Sequence, residues 1–171
     1  ADGDERGRFG EHGAGEAALM GVRGVAVNAV TRLLVVADPG QRRVASAHAY
    51  GDLGSAHEMS FGGLGTLAGF EPTDVAVDAQ GASSLLDETL FVADRAGDRI
   101  LRSSYRLPLR TWPGGGPDGR WPFDAPEAVA LAGRWLFVAD TGHDRIQRLA
   151  TSGAGADDRV FGGPGTAPGT F

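Results

Sequence analysis

Apolar residues along this chain are gathered into short runs broken by Gly, Pro, Asp and Asn. Gly24-Val25-Ala26-Val27-Asn28 is followed by Leu34-Val35-Val36-Ala37-Asp38 and then by Arg43-Val44. The succession returns as Asp74-Val75-Ala76-Val77-Asp78, Leu90-Phe91-Val92-Ala93-Asp94 and Arg99-Ile100. It returns again as Ala128-Val129-Ala130-Leu131, Leu136-Phe137-Val138-Ala139-Asp140 and Arg145-Ile146. Short β-branched runs bounded by turn residues predict buried strands, not helices. In the second unit, strands are expected at residues 74–78, 89–93, 99–104 and 107–112. The small Ala at the centre of each innermost run suits a crowded place where strands converge.

An aromatic-Gly signature opens each unit, at Phe9-Gly10, Phe61-Gly62, Trp112-Pro113-Gly114 and Phe161-Gly162. A further Gly follows each of them, at Gly13, Gly65, Gly115 and Gly165. The spacing is a period of ~50 residues, and four short strands per period are the mark of propeller blades. The expected fold is therefore all-β, a partial β-propeller of four-stranded antiparallel blades with about three blades present. Residues 11–62, 63–112 and 113–162 are the three blades in this reading. Residues 1–10 supply the outer strand of a preceding blade, and residues 163–171 lead into a further one.

Val138-Ala139-Asp140-Thr141-Gly142-His143-Asp144-Arg145-Ile146 resembles the NHL repeat. So does Phe61-Gly62-Gly63-Leu64-Gly65, followed by Phe70, Pro72 and Val75-Ala76-Val77-Asp78. The first unit departs most, with Pro39-Gly40 at the Thr-Gly position and Asn28 in place of the strand-end Asp. The second has a longer first hairpin, residues 79–89. The resemblance implies a six-bladed ring, of which this chain holds about half. A fragment, or a piece within a larger assembly, is the expected explanation. A homodimer completing six blades is another, and packing of the half-ring on a different chain is a third. An open half-ring exposes two blade flanks and a strand edge, both of which invite association.

Composition adjusts this picture in three places. The 171 residues include 28 Gly, which fits frequent tight reversals. There is no Cys, so disulfides, thiol catalysis and Cys-ligated zinc are excluded, while either redox compartment remains compatible. A location outside the cytoplasm is the expectation, with neither a signal peptide nor an apolar run of membrane-spanning length in the sequence. The net charge is −6 and every basic residue is a scattered Arg, which argues against nucleic acid as partner.

Candidate chemistry divides into recurring and unique residues. Asp38 and Arg43, Asp94 and Arg99, and Asp140 and Arg145 recur five apart in every unit. Such pairs are expected to hold loops, since fold maintenance repeats in each blade whereas catalysis needs one unique constellation. The histidines His12, His48, His57 and His143 show no zinc-like spacing, and Gly114-Gly115-Gly116 before Pro117 reads as a turn. No catalytic residue and no metal ligand is assigned.

Loops after the three recurring Asp residues should share a face with the long loops entering each unit. That face gathers Gln41, Arg42, Arg95, Asp98, His143 and Asp144, with Trp121 on the 113–126 loop. Arg23, Asp74 and Glu127, at the starts of the innermost strands, should point toward the channel mouth. Trp and Arg are favoured contact anchors. Trp112 and Trp135 are expected in the core.

The expected function is a non-enzymatic binding or scaffolding module without a cofactor. Its partner is a protein or the rest of its own propeller, with no membrane insertion. The alternative implied by the resemblance is half of a six-bladed metal-dependent enzyme, lactonase- or hydrolase-like or similar to the amidating lyases. A channel divalent ion such as calcium belongs to that alternative alone, for which Asp74 and Glu127 are the nearby carboxylates.

Overall fold

A computed structural model describes residues 11–13, 18–28, 31, 33–48, 69–78, 89–104, 107–112, 122–153, 155, 157–165 and 169–170. Two complete four-stranded sheets stand in it. The second unit is a meander of β6 (Pro72–Asp78), β7 (Thr89–Asp94), β8 (Arg99–Ser104) and β9 (Leu107–Thr111), each antiparallel to the next. The third repeats it with β10 (Pro126–Ala132), β11 (Trp135–Asp140), β12 (Arg145–Ala150) and β13 (Arg159–Gly162). The first unit contributes β3 (Gly24–Asn28), β4 (Leu33–Asp38) and β5 (Arg43–His48). Its expected fourth strand and the opening strand at residues 5–9 lie outside the described residues, as do the long hairpin of the second unit and the glycine turn at 114–116.

Corresponding residues pair in corresponding registers. Val75 faces Val92 and Asp94 faces Arg99 in the second blade, as Val129 faces Val138 and Asp140 faces Arg145 in the third. A register shift falls at the start of the first strand in both, between Pro72 and Asp74 and between Pro126 and Ala128. Pro lacks the N–H that a ladder needs, so a bulge at the strand's first residues suits it. An additional pair, β1 (Glu11–His12) and β2 (Ala18–Leu19), is parallel and was not foreshadowed by any alternation in the sequence.

The middle strands read as continuous apolar runs because both of their faces are covered. Leu90 and Val92 of β7 pack with Val35, Ala37, Val44, Phe70, Val75 and Leu101 between the first and second blades. Phe91 and Ala93 point the other way, joining Ala76, Ile100, Trp112, Phe123, Val129, Leu136, Val138 and Leu149. Phe91 and Trp112 meet edge to face, with ring centroids 5.4 Å apart at 79°. Each fully buried large side chain here contributes about 1.5–3 kcal/mol. Trp112 is thus in the core as expected. Trp135 is not: it is half-buried at a strand start, with the guanidiniums of Arg134 and Arg148 4.5 and 4.3 Å from its ring centroid.

First strands of neighbouring blades meet closely. Val129 N–H donates to Asp74 Oδ2 at 3.0 Å, and Thr73 Oγ1 donates to the Pro126 carbonyl at 3.2 Å. On the other side, a Cβ added at Gly24 would collide with the Asp74 backbone and carboxylate and stand 3.0 Å from the Thr73 carbonyl. Gly24→Ala is therefore expected to cost about 1–3 kcal/mol through overpacking, read as a lowered chemical-denaturation midpoint.

Candidate functional site

Each second strand ends in a fully buried carboxylate, and the surrounding loops are arranged about it. Asp140 Oδ1 accepts the Asp124 amide at 2.7 Å. Its Oδ2 accepts Arg145 Nε at 2.6 Å and Gln147 Nε2 at 2.8 Å, with His143 Nδ1 3.1 Å away. Asp94 accepts the Glu71 amide at 2.9 Å and Arg99 Nε at 2.7 Å. The Asp38 carboxylate accepts the Met20 amide at 3.0 and 3.2 Å. Arg43 Nε stands farther off, at 3.6 Å, and its terminal nitrogen donates to the Ala18 carbonyl. Arg145 makes the corresponding bond to the Pro122 carbonyl at 2.7 Å. Charge-assisted bonds of this kind fasten the incoming segment to the blade and satisfy a buried amide.

The turns that follow share a second device. Pro39–Gln41 and Thr141–His143 are single 3-10 turns, and residues 95–98 also form a turn. The residue that closes each turn is left-handed: Arg42, just after Gln41, at φ 54°, Asp98 at φ 50° and Asp144, just after His143, at φ 50°. Asp tolerates this conformation better than Arg, for which it costs roughly 1–2 kcal/mol. Asp98 also uses its carboxylate, accepting the Ala125 amide at 2.8 Å. An Arg at the same place has no acceptor with which to do so.

Between the first and second blades these loops border an open crevice of about 500 Å³. Arg23 and Arg42 line it with Glu71, over Phe70, and Gly21 and Gly69 stand on its walls. Gly21 at φ 85° and Gly69 at φ 74° occupy backbone conformations that L residues rarely adopt, and neither carries a side chain into the space. Among the described residues neither Arg23 nor Arg42 has an ion-pair partner. Beyond the crevice, Arg95 bridges two carboxylates, with Glu71 at 3.6 Å and Glu127 at 3.2 Å.

The candidates from the sequence thus fall into separate groups. Arg23 and Arg42 come together in the crevice, and Arg95 joins Glu127 beside it. Gln41 turns inward and donates to the Gly13 and Ala18 carbonyls, bracing the entering segment. Asp74 ties one blade to the next through Val129, so it is not a free channel carboxylate. His143 leans on Asp140, Asp98 is engaged with Ala125, and Asp144 is exposed. Trp121 lies outside the described residues. Glu71 and Asp124 are additions that the sequence reading passed over. Their signal was an acid immediately ahead of the first strand, in Glu71-Pro72 and Asp124-Ala125-Pro126. No group of three or more His, Asp or Glu side chains placed to hold a metal occurs among the described residues.

No family model matches the sequence, and no curated protein matches it at a significant level. Solved structures do match. A chain of a nidogen/laminin complex is similar over 78% of this chain and 44% of its own, at 17% identity and a TM-score of 0.57. A streptogramin B lyase is similar over 88% of this chain and 42% of its own, at 12% identity and a TM-score of 0.61. The virginiamycin B lyase of Staphylococcus aureus gives 88% and 42%, at 14% identity and a TM-score of 0.57. This chain spans less than half the length of each of them. At such identities the likeness is one of fold: the chain is a partial β-propeller of antiparallel four-stranded blades.

Proposed function

We propose that this is an NHL-type propeller segment acting as a non-enzymatic binding or scaffolding unit, with further blades of its own kind covering its flanks. The observation carrying the reading is a comparison of equivalent residues within the chain. Val75 faces the first blade and is 3% exposed, whereas Val25, its counterpart on the outer side of the first blade, is 60% exposed. Trp112 faces the third blade at 3% exposure, and its counterpart Phe161 is 45% exposed. On each outer side an apolar position that the interior covers is thus left open, at the innermost strand of the first blade, where Val36 and Ala45 beside it are buried, and at the outermost strand of the third. Exposed apolar faces of this kind are association surfaces. The recurring Asp and Arg side chains are meanwhile occupied with loops, which leaves the non-repeating charges of one face for contact.

Sedimentation equilibrium of the 171-residue chain tests the reading against Val25→Glu and Phe161→Arg. Reversible association of the parent, weakened at least ~tenfold by either substitution, is expected, as a buried charge without a partner costs several kcal/mol. A parent chain that stays monomeric at all concentrations overturns the flank assignment. Metal-dependent turnover of a lactone or an ester overturns the non-enzymatic one.

A further inference from the structure

Comparison among the blades also isolates what is peculiar to the crevice. The left-handed turn residue is Asp98 in the second blade and Asp144 in the third, but Arg42 in the first. The residue preceding the aligned innermost-strand positions is Thr73 in the second blade and Glu127 in the third, but Arg23 in the first. Both departures replace an acidic or neutral side chain by a guanidinium, and both line the same crevice. Arg42 holds its place despite an unfavourable backbone conformation and without the cross-blade bond that Asp98 makes. The left-handed turn serves every blade, so an Arg at that position in the first, where Asp is the better-tolerated residue, points to use of the side chain itself.

We infer that the crevice bounded by Arg23, Arg42 and Glu71 binds an acidic, extended segment of a partner protein. This rests on the reading of the chain as a binding unit. The guanidinium is a planar fork suited to carboxylates, and two of them without ion-pair partners among the described residues offer seats for acidic side chains. Glu71 stands on the wall as an acceptor, its charge offset by Arg95 at 3.6 Å, and accepts backbone N–H groups of the bound segment. A simple inorganic anion would use only the first of these features and, lacking backbone N–H groups, would gain little from the second. Buried Phe70 supplies an apolar base, and Gly21 and Gly69 leave the backbone open to close approach. The volume of about 500 Å³ suits a few residues of peptide. With a net charge of −6 the whole protein repels acids at long range, so capture depends on these short contacts.

The test is a titration of the chain with blocked tetraglutamate, followed by amide chemical shifts and by calorimetry. Blocked tetraglutamine and inorganic phosphate serve as comparisons. Saturable, salt-sensitive binding of tetraglutamate, with shifts at the Gly21 and Gly69 amides, is expected. Arg23→Ala and Arg42→Gly should each weaken it about fivefold to tenfold. Arg42→Gly should raise the melting temperature at the same time, since it relieves the backbone while removing the ligand contact. No binding by the parent, equal affinity of the Arg23→Ala/Arg42→Gly double variant, or phosphate binding as tight as the peptide would each overturn the inference. A chain that associates through its flanks yet ignores tetraglutamate loses this site alone and keeps the scaffolding role.

Discussion

Asp140→Ala is expected to lower the unfolding free energy by about 3–5 kcal/mol, because it strips a buried cluster of its acceptor. The carboxylate is fully buried and receives Arg145, Gln147 and the Asp124 amide, with His143 beside it. Truncation leaves a mostly buried guanidinium without its counter-charge and a buried amide side chain and backbone N–H without their bonds. Water reaches some of these groups only if the loop opens. Asp140→Asn keeps one acceptor oxygen for the Asp124 amide and loses the charge, so a smaller loss is expected. Denaturant midpoints measured with Asp144→Ala, an exposed residue next to His143, provide the scale. A loss no greater for Asp140→Ala than for Asp144→Ala would mean that the carboxylate does not organise the loops.

Phe91→Ala should cost about 3–5 kcal/mol, while Phe161→Ala in the same chain, measured as a monomer, should cost under ~1 kcal/mol. Phe91 is fully buried against Trp112 and the third blade, and nothing nearby can collapse into its volume without moving a strand. Phe161 holds the place in the third blade that Trp112 holds in the second, and it is 45% exposed where Trp112 is 3%. The ratio of the two effects is a measure of what a covering blade adds. When the chain associates, Phe161→Ala should become costly as well. Comparable effects at both positions in the monomer would contradict the exposed flank.

The strands were legible in the sequence because a β-strand has a local signature. Residues expected at 74–78, 89–93, 99–104 and 107–112 form strands at Pro72–Asp78, Thr89–Asp94, Arg99–Ser104 and Leu107–Thr111. The two added residues at the first strand's start belong to the bulge, whose geometry depends on the neighbouring strand and not on the run itself. The parallel pair of β1 and β2 escaped notice for a similar reason: its strands are too short to show alternation. Trp135 misled because an aromatic on a strand reads as core. Its position at the strand's outer end, between two Arg side chains, became visible only in the fold.

The candidate site was less legible. Repeat position suggests Arg42 and Arg95 for a loop face and Arg23 and Glu127 for the channel mouth, but it does not say which of them are paired. Gln41, Asp74 and Asp98 were equally plausible contact residues until their hydrogen bonds to Ala18, Val129 and Ala125 placed them in the scaffold. Glu71 emerges only in the fold, through its place on the crevice wall and its ion pair with Arg95.

By itself the sequence determined the repeat, the strands and the recurrence of Asp with Arg, since each follows from spacing along one chain. Tertiary structure decided which apolar faces meet and which stay open, as Val75 against Val25 and Trp112 against Phe161 demonstrate. It also decided which charges are spent on loops and which, among the described residues, have no ion-pair partner. Burial and pairing are relations between blades, and identical local sequences acquire different environments according to what lies across from them.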